Sequence, residues 1–419
     1  MITRLTLIGI AAILILSLSN CNKSDNEYQN GGEGTINLPP LDPTLVNKGK
    51  DIFRYETFGD ETTWTDLLKM NQVIEATVDP VTALSVGLKV DASALPPAVV
   101  TGITDGSINL NDPQTTLALL QLNAVVGLQG KVSSTPEGAL KLDKIGITCA
   151  LCHSTVDDSF APGIGNRLDG YPNRDLDPGL IISLSPALTA AQKNIYASWG
   201  KGKFDPRFNH DGLNNPVVIP PAYGLYGLPK STFTGDGDIQ HEPVGPVAYW
   251  NRYVAVAEMG GHGKFSDARI GMTIDNTGGG ADLVTDKLPA LQAYQFSLAA
   301  PLPKSGSFDV AAAKAGKILF NSKAQCVSCH SGPKFTDVIQ GGKLHSIEET
   351  VATDKMYASR SATKKWRTSP LKGIWQHAPY FHDGSAETLS AVVEKYNNSR
   401  KLGLSNQEKQ NLTEYLKSL

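Results

Sequence analysis

Apolar positions along this chain gather into short helix-spaced runs, divided by long polar stretches broken by glycine and proline. Asn47 to Tyr55, Tyr249 to Met259, Val310 to Phe320, Leu389 to Tyr396 and Asn406 to Leu416 read as helices, the last opened by Ser405 as its N-cap. Leucine, valine and alanine runs at Leu117 to Leu122 and Ala124 to Leu128 predict that an insertion over residues 60–140 is mostly helical as well. From Ala161 to Pro246 glycine, proline, aspartate and asparagine dominate, with Asp-Gly pairs at Asp169, Asp211 and Asp236, and long loops lining a pocket are expected. The pattern predicts a mostly α protein.

At 419 residues the chain exceeds the usual size of a single core, so two domains are expected. Residues 1–20 have Arg4, an apolar stretch from Leu5 to Leu18, and then Ser19-Asn20-Cys21, the outline of an export signal. Fourteen apolar residues are short of the ~20 that span a bilayer. Cys21 is therefore expected to carry a lipid anchor to a membrane face in the periplasm or cell envelope. Asn20 departs from the small residue usual before such a cysteine, and secretion with a free Cys21 is the alternative. Residues 21–45 form a polar tether, residues 46–304 an N-terminal domain and residues 305–419 a C-terminal one, divided near Pro301–Gly306.

The chemistry is carried by two copies of one pentapeptide, Cys149-Ala150-Leu151-Cys152-His153 and Cys326-Val327-Ser328-Cys329-His330, which use four of the five cysteines. Two thiols at this spacing can each form a thioether to a porphyrin vinyl group while the adjacent imidazole reaches the iron. Two covalently bound haem c groups are the expected cofactors. A zinc site would crowd its ligands by placing His directly after Cys, and a disulfide asks for no His there. A Gly-Lys-x-x-Phe phrase precedes each motif, at Gly49–Phe53 and Gly316–Phe320. Beyond the motifs and these flanks no repeat is evident. A formal net charge of −3 with 19% charged residues shows no nucleic-acid footprint.

Arg367-Thr368-Ser369-Pro370-Leu371-Lys372-Gly373-Ile374, then Ala378-Pro379-Tyr380-Phe381-His382-Asp383-Gly384 and Thr388-Leu389, resemble the C-terminal haem domain of bacterial di-haem cytochrome c peroxidases and MauG-type proteins. The resemblance implies a mostly α fold of two cytochrome c-like haem domains with long loops and a helical insertion in the first. It implies His153 and His330 as proximal iron ligands, and Tyr396, 14 residues after His382, as the distal ligand of the second haem, where the peroxidases have Met and MauG has Tyr. Met356 and His345 are the other candidates for that ligand. Asp169 stands where the peroxidases cap the first haem with His, which leaves that iron open.

Glu258-Met259-Gly260 matches the segment whose glutamate shuttles a proton in O–O cleavage. The Trp-Asp-Gly-Arg segment of the family is Gly235-Asp236-Gly237-Asp238 here, without its inter-haem Trp, for which Trp199 and Trp250 are substitutes. Arg367 suits a haem propionate and His382 the haem edges or the domain interface, while backbone carbonyls near His377 and Pro379 are where the resemblance leaves room for calcium. The function implied is hydrogen peroxide reduction at the N-terminal haem, with the C-terminal haem relaying electrons from a small redox protein. Oxidation of an organic or protein substrate, as in MauG or the rubber oxygenases, and non-catalytic electron carriage are the alternatives.

Overall fold

The computed structural model describes residues 38–352 and 354–419, so the export signal, Cys21 and most of the tether lie outside the described residues. About 41% of the described residues are helical and 12% are in strands, which makes the fold mostly α. Among the described residues every sheet has only two strands, and no helix is long and apolar enough to cross a membrane.

The helices expected from apolar spacing form. Helix α1, Pro43–Tyr55, starts on an Asp42 cap with proline in its first turn, and buries Gly49, Ile52 and Phe53. Helix α2, Pro113–Gln121, contains Leu117 and Leu120, but the next apolar run does not continue it. Asn123 and Gly127 adopt positive φ, and a Cβ on Gly127 would lie 2.2 Å from the backbone of Leu151. The chain turns there into an antiparallel hairpin of β1, Leu128–Ser134, and β2, Leu140–Ile147. The 60–140 segment is thus helical first and ends in a strand, because close backbone approach at Gly127 outweighs the helical spacing of its neighbours. The hairpin delivers Ile147 two residues before Cys149, and the Thr148 amide bonds back to Gly127 at 2.9 Å.

Helix α3, Pro246–Tyr253, runs into a wider π turn over Val254–Glu258, and α4 spans Leu288–Ser297. In the C-terminal part, α5 is Val310–Asn321, α6 Leu389–Arg400 and α7 Asn406–Lys417, the last closed by a Ser405–Glu408 capping box.

The organising contact occurs twice. A Cβ on Gly49 of α1 would fall 1.9 Å from the Ala290 carbonyl oxygen and 2.7 Å from the Tyr294 Cβ of α4. A Cβ on Gly316 of α5 would fall 2.0 Å from the Asn411 oxygen and 2.8 Å from the Tyr415 Cβ of α7. Each glycine therefore lets one helix lie on the backbone of the other. Phe53 meets Tyr294 edge-on at 5.4 Å, and Phe320 meets Tyr415 edge-on at 5.2 Å. The partner helices are themselves a repeat, Leu291-x-x-Tyr294-x-x-Ser297-Leu298 and Leu412-x-x-Tyr415-x-x-Ser418-Leu419. Both serines bond the preceding tyrosine carbonyl at 2.6 Å. The chain thus holds a second internal repeat beside the pentapeptides and their flanks. Its spacing from each pentapeptide differs greatly, which hides it.

Gly49→Ala and Gly316→Ala are each expected to cost about 1–3 kcal/mol in urea unfolding, because the helices must separate. Ile318→Ala, on the 69% exposed face of α5, is expected to stay within ~0.5 kcal/mol. Equal stability of all three would contradict the close crossing.

Candidate functional site

Both pentapeptide histidines are fixed by their surroundings. The His153 Nδ1 lies 3.0 Å from the Pro220 carbonyl, and the His330 Nδ1 lies 3.1 Å from the Phe335 carbonyl. The backbone of Ser369 also reaches His330. A carbonyl only accepts, so each Nδ1 carries the proton and each Nε2 keeps its lone pair for a metal. Burial pushes His153 down to about 4 and lowers His330 as well, so both rings are neutral, as ligands must be.

The Pro220 carbonyl and the Ser369 backbone come from matching loops, whereas Phe335 lies five residues after His330. In Pro220-Pro221-Ala222-Tyr223-Gly224 the Gly224 amide bonds the carbonyl of Leu298, just past α4, at 2.8 Å. In Ser369-Pro370-Leu371-Lys372-Gly373 the Gly373 amide bonds the carbonyl of Leu419, just past α7, at 2.9 Å.

Cys149, Cys152, Cys326 and Cys329 are not joined in disulfides. Burial pushes Cys149 and Cys152 up to about 12 and Cys326 up to about 11. Such surroundings favour uncharged sulfur, which a thioether is and a zinc thiolate is not.

A cavity of about 1050 Å³ opens beside the second pentapeptide, walled by Cys326, Cys329, His330, Arg367, His382 and Tyr396. It also reaches the loops around Tyr223 and Phe233, as the glycine-rich stretch predicts. Tyr396 of α6 is pushed up to about 12, by burial first and then by the Cys326 and Cys329 sulfurs close to it. Of the rival ligands, Met356 is 44% exposed. His345 lines the cavity but bonds Asp337 at 2.8 Å, and both lie with the Cys329 sulfur inside 4.8 Å, on the thiol side.

The Arg367 Nε donates to the Thr232 carbonyl at 2.7 Å, while its Nη1 is buried without a partner and burial holds its pKa down to about 10. The His382 ring packs 4.5 Å from Trp366, and its Nε2 lies 3.2 Å from Asp354. An apolar hollow with thiols and a free imidazole nitrogen at one wall, and an uncompensated buried guanidinium at another, fits a flat macrocycle bearing carboxylates. Haem c meets that description.

Glu258 ends the π turn after α3. The next residues are clamped by the insertion: the Trp64 Nε1 donates to the Met259 carbonyl at 3.1 Å and the Thr63 hydroxyl to Gly260 at 3.3 Å. Val256, Met259 and Ala150 share one apolar core, with Cys149 packed against it. The Glu258 Oε2 is buried without a hydrogen-bond partner. Burial raises its pKa well above the ordinary carboxyl range and Asp205 adds to this, while Tyr253 and Arg207 oppose it.

Asp169 accepts from Arg54 at 2.6 Å, Arg167 at 2.9 Å, Ser154 at 2.7 Å and Tyr294 at 2.5 Å. It ties α1 to α4, and its oxygens are all engaged. Trp199 belongs to a cluster with Tyr196, Phe204 and Phe208, whereas Trp250 stacks 5.0 Å from Tyr253, beside Glu258.

Sequence reasoning missed Arg174, on the cavity wall, and the Arg207–Asp236 ion pair at 2.7 Å near Glu258. Nothing in their local pattern marks them.

A family profile described as RoxA-like, cytochrome c-like, matches residues 366–401, a stretch that contains Arg367, His382 and Tyr396. The methylamine utilization protein MauG of Methylorubrum extorquens is 33% identical over 127 residues, covering 28% of this chain and 35% of that protein. The cytochrome-c peroxidase IdrP2 of a Pseudomonas species is 29% identical over 147 residues, covering 26% of this chain and 39% of that one. The chain thus spans well under half the length of these curated relatives. A solved hydrazine synthase of Kuenenia stuttgartiensis aligns at a TM-score of 0.34 and 19% identity, over 50% of this chain and 74% of that one. The relatives fit the di-haem peroxidase and MauG superfamily.

An alkaline pyridine assay of the full chain is expected to return two haem equivalents, and one after Cys326→Ala with Cys329→Ala. Undiminished pigment in that variant would show that these thiols hold no haem.

Proposed function

We propose, with the di-haem peroxidase and MauG superfamily as premise, that this is an exported, lipid-anchored di-haem c-type oxidoreductase that reduces hydrogen peroxide at its N-terminal site. Cys149, Cys152 and His153 would hold one haem, and Cys326, Cys329, His330 and Tyr396 the other. Haem iron supplies the centre that binds peroxide and exchanges its electrons. The observation that carries the reading is Glu258, a buried carboxyl with one oxygen unengaged and a strongly raised pKa.

Burial favours the protonated form of that carboxyl. Reduction of hydrogen peroxide to two waters consumes two electrons and two protons, and Glu258 hands a proton to the departing oxygen. Tyr253 hydrogen-bonds the carboxyl and Arg207 acts on it electrostatically. A small redox protein is the electron donor in this reading. On the second site, Tyr396 presents a phenol rather than a thioether, which favours oxidised iron. That feature supports a second reading, in which the oxidising equivalents are turned on an organic or protein substrate rather than refilled by a donor.

Because its pKa is raised, Glu258 keeps its proton below that value and loses it as pH climbs through it. Peroxide turnover is therefore expected to fall on the alkaline side. Glu258→Gln is expected to slow peroxide cleavage by roughly 10²–10⁴-fold and to remove that alkaline limb, with peroxide binding little changed. Equal loss of binding and cleavage would contradict the proton-transfer role.

Tyr396→Met is expected to raise one haem potential by on the order of 0.1 V, within the ~0.8 V range that axial ligands command. Two unchanged potentials in a redox titration would remove Tyr396 from the iron. Turnover with a reduced small cytochrome separates the peroxidase reading from substrate oxidation.

A further inference from the structure

Arg174 sits where the two halves of the site meet. Its neighbour Asn173 is tied to the first pentapeptide through its amide, which donates to the Cys152 carbonyl at 2.8 Å, and to the Gly87 carbonyl through its side chain at 2.9 Å. The Arg174 guanidinium reaches the other way, donating Nη2 to the His377 carbonyl at 3.0 Å and lining the cavity beside the second pentapeptide. It also acts electrostatically on both His153 and His377.

Two features of this group stand out. Its Nε and Nη1 are buried with no hydrogen-bond partner, and the groups that act on it electrostatically, Tyr223 and Tyr380, include no carboxylate. A buried guanidinium with two open donor edges is costly unless an anion completes it. The carbonyl it occupies, that of His377, lies in the His377–Pro379 stretch where the family resemblance leaves room for calcium. Calcium takes six to eight oxygen ligands in direct contact. A guanidinium already bonded to that carbonyl takes up one of those oxygens and sets a like charge beside the ion.

We propose that Arg174 is a built-in cation clamp in place of calcium: it holds the His377 carbonyl with one N–H edge and receives haem carboxylates on the others, joining the two pentapeptide sites without a metal ion. The inference rests on the di-haem reading above. Arginine suits the task because its charge is permanent and its planar fork matches carboxylate geometry. Asn173 holds the backbone on which that fork is mounted.

The test uses the full-length haem-loaded protein. After dialysis against EDTA, calorimetric titration with calcium chloride is expected to show no saturable binding, and EDTA is expected to leave the melting temperature and haem spectrum unchanged. Arg174→Met is expected to lower the melting temperature by roughly 3–8 °C. Arg174→Lys, which keeps the charge but not the fork, is expected to lower it less.

One equivalent of calcium bound per chain would overturn the proposal, even if the variants fail to fold. So would an Arg174→Met protein as stable as the parent or more so, the behaviour of a buried cation that has no anion to lose. A pigment assay on the parent separates the two levels. Two haems with calcium binding defeat the clamp alone, whereas fewer than two defeat the di-haem reading and the clamp with it.

Discussion

A glycine laid on the carbonyl of a crossing helix is the constraint from which the rest of this molecule follows. At Gly49 on Ala290 and at Gly316 on Asn411 there is no room for a side chain, so each helix pair has one admissible depth. That depth brings Phe53 to Tyr294 and Phe320 to Tyr415, and fixes where Leu298 and Leu419 end. Their carbonyls hold the amides of Gly224 and Gly373. The loops so anchored begin at Pro220 and Ser369, whose backbones face His153 and His330. The position and tautomer of His153, and the backbone beside His330, thus depend on a packing contact made elsewhere in the chain, while the Phe335 carbonyl holds the His330 Nδ1 locally.

Charge is distributed in the same economical way. Asp169, buried between Arg54 and Arg167, is fully compensated and serves to join α1 to α4. Glu258 lacks a partner on one oxygen, and burial shifts it towards its protonated form. Arg174 and Arg367 are the reverse case, buried cations with donors to spare. A folded protein seldom leaves such groups unmet. Here the unmet donors lie around the cavity that adjoins Cys326, Cys329 and His330, which is why a carboxylate-bearing macrocycle accounts for them better than an empty hollow does.

Much of this was legible in the sequence, and the rest was hidden for physical reasons. The helices at 47–55, 310–320, 389–396 and 406–416 show themselves by apolar spacing and by caps such as Ser405, and the pentapeptides by their own chemistry. Tyr396 was singled out by the family resemblance, and its side chain lines the cavity. The run from Ala124 to Leu128 reads as helix but leads into the hairpin, because Leu, Val and Ala serve either structure and only the backbone approach at Gly127 decides between them. The Leu-x-x-Tyr-x-x-Ser-Leu repeat escaped notice because its two copies lie at unlike distances from their pentapeptides. Arg174 gave no signal at all: a lone arginine in a polar loop looks solvated until folding buries it.

In the proposed reading His153 and His330 would each hold a thioether-bound haem iron, with Tyr396 available to the second and no protein ligand assigned to the far side of the first. An electron spin resonance spectrum of the ferric protein as isolated reads this directly. The account predicts two iron signals of equal spin count, with at least one high-spin and converted to low-spin by cyanide. Two low-spin signals that ignore cyanide would contradict it.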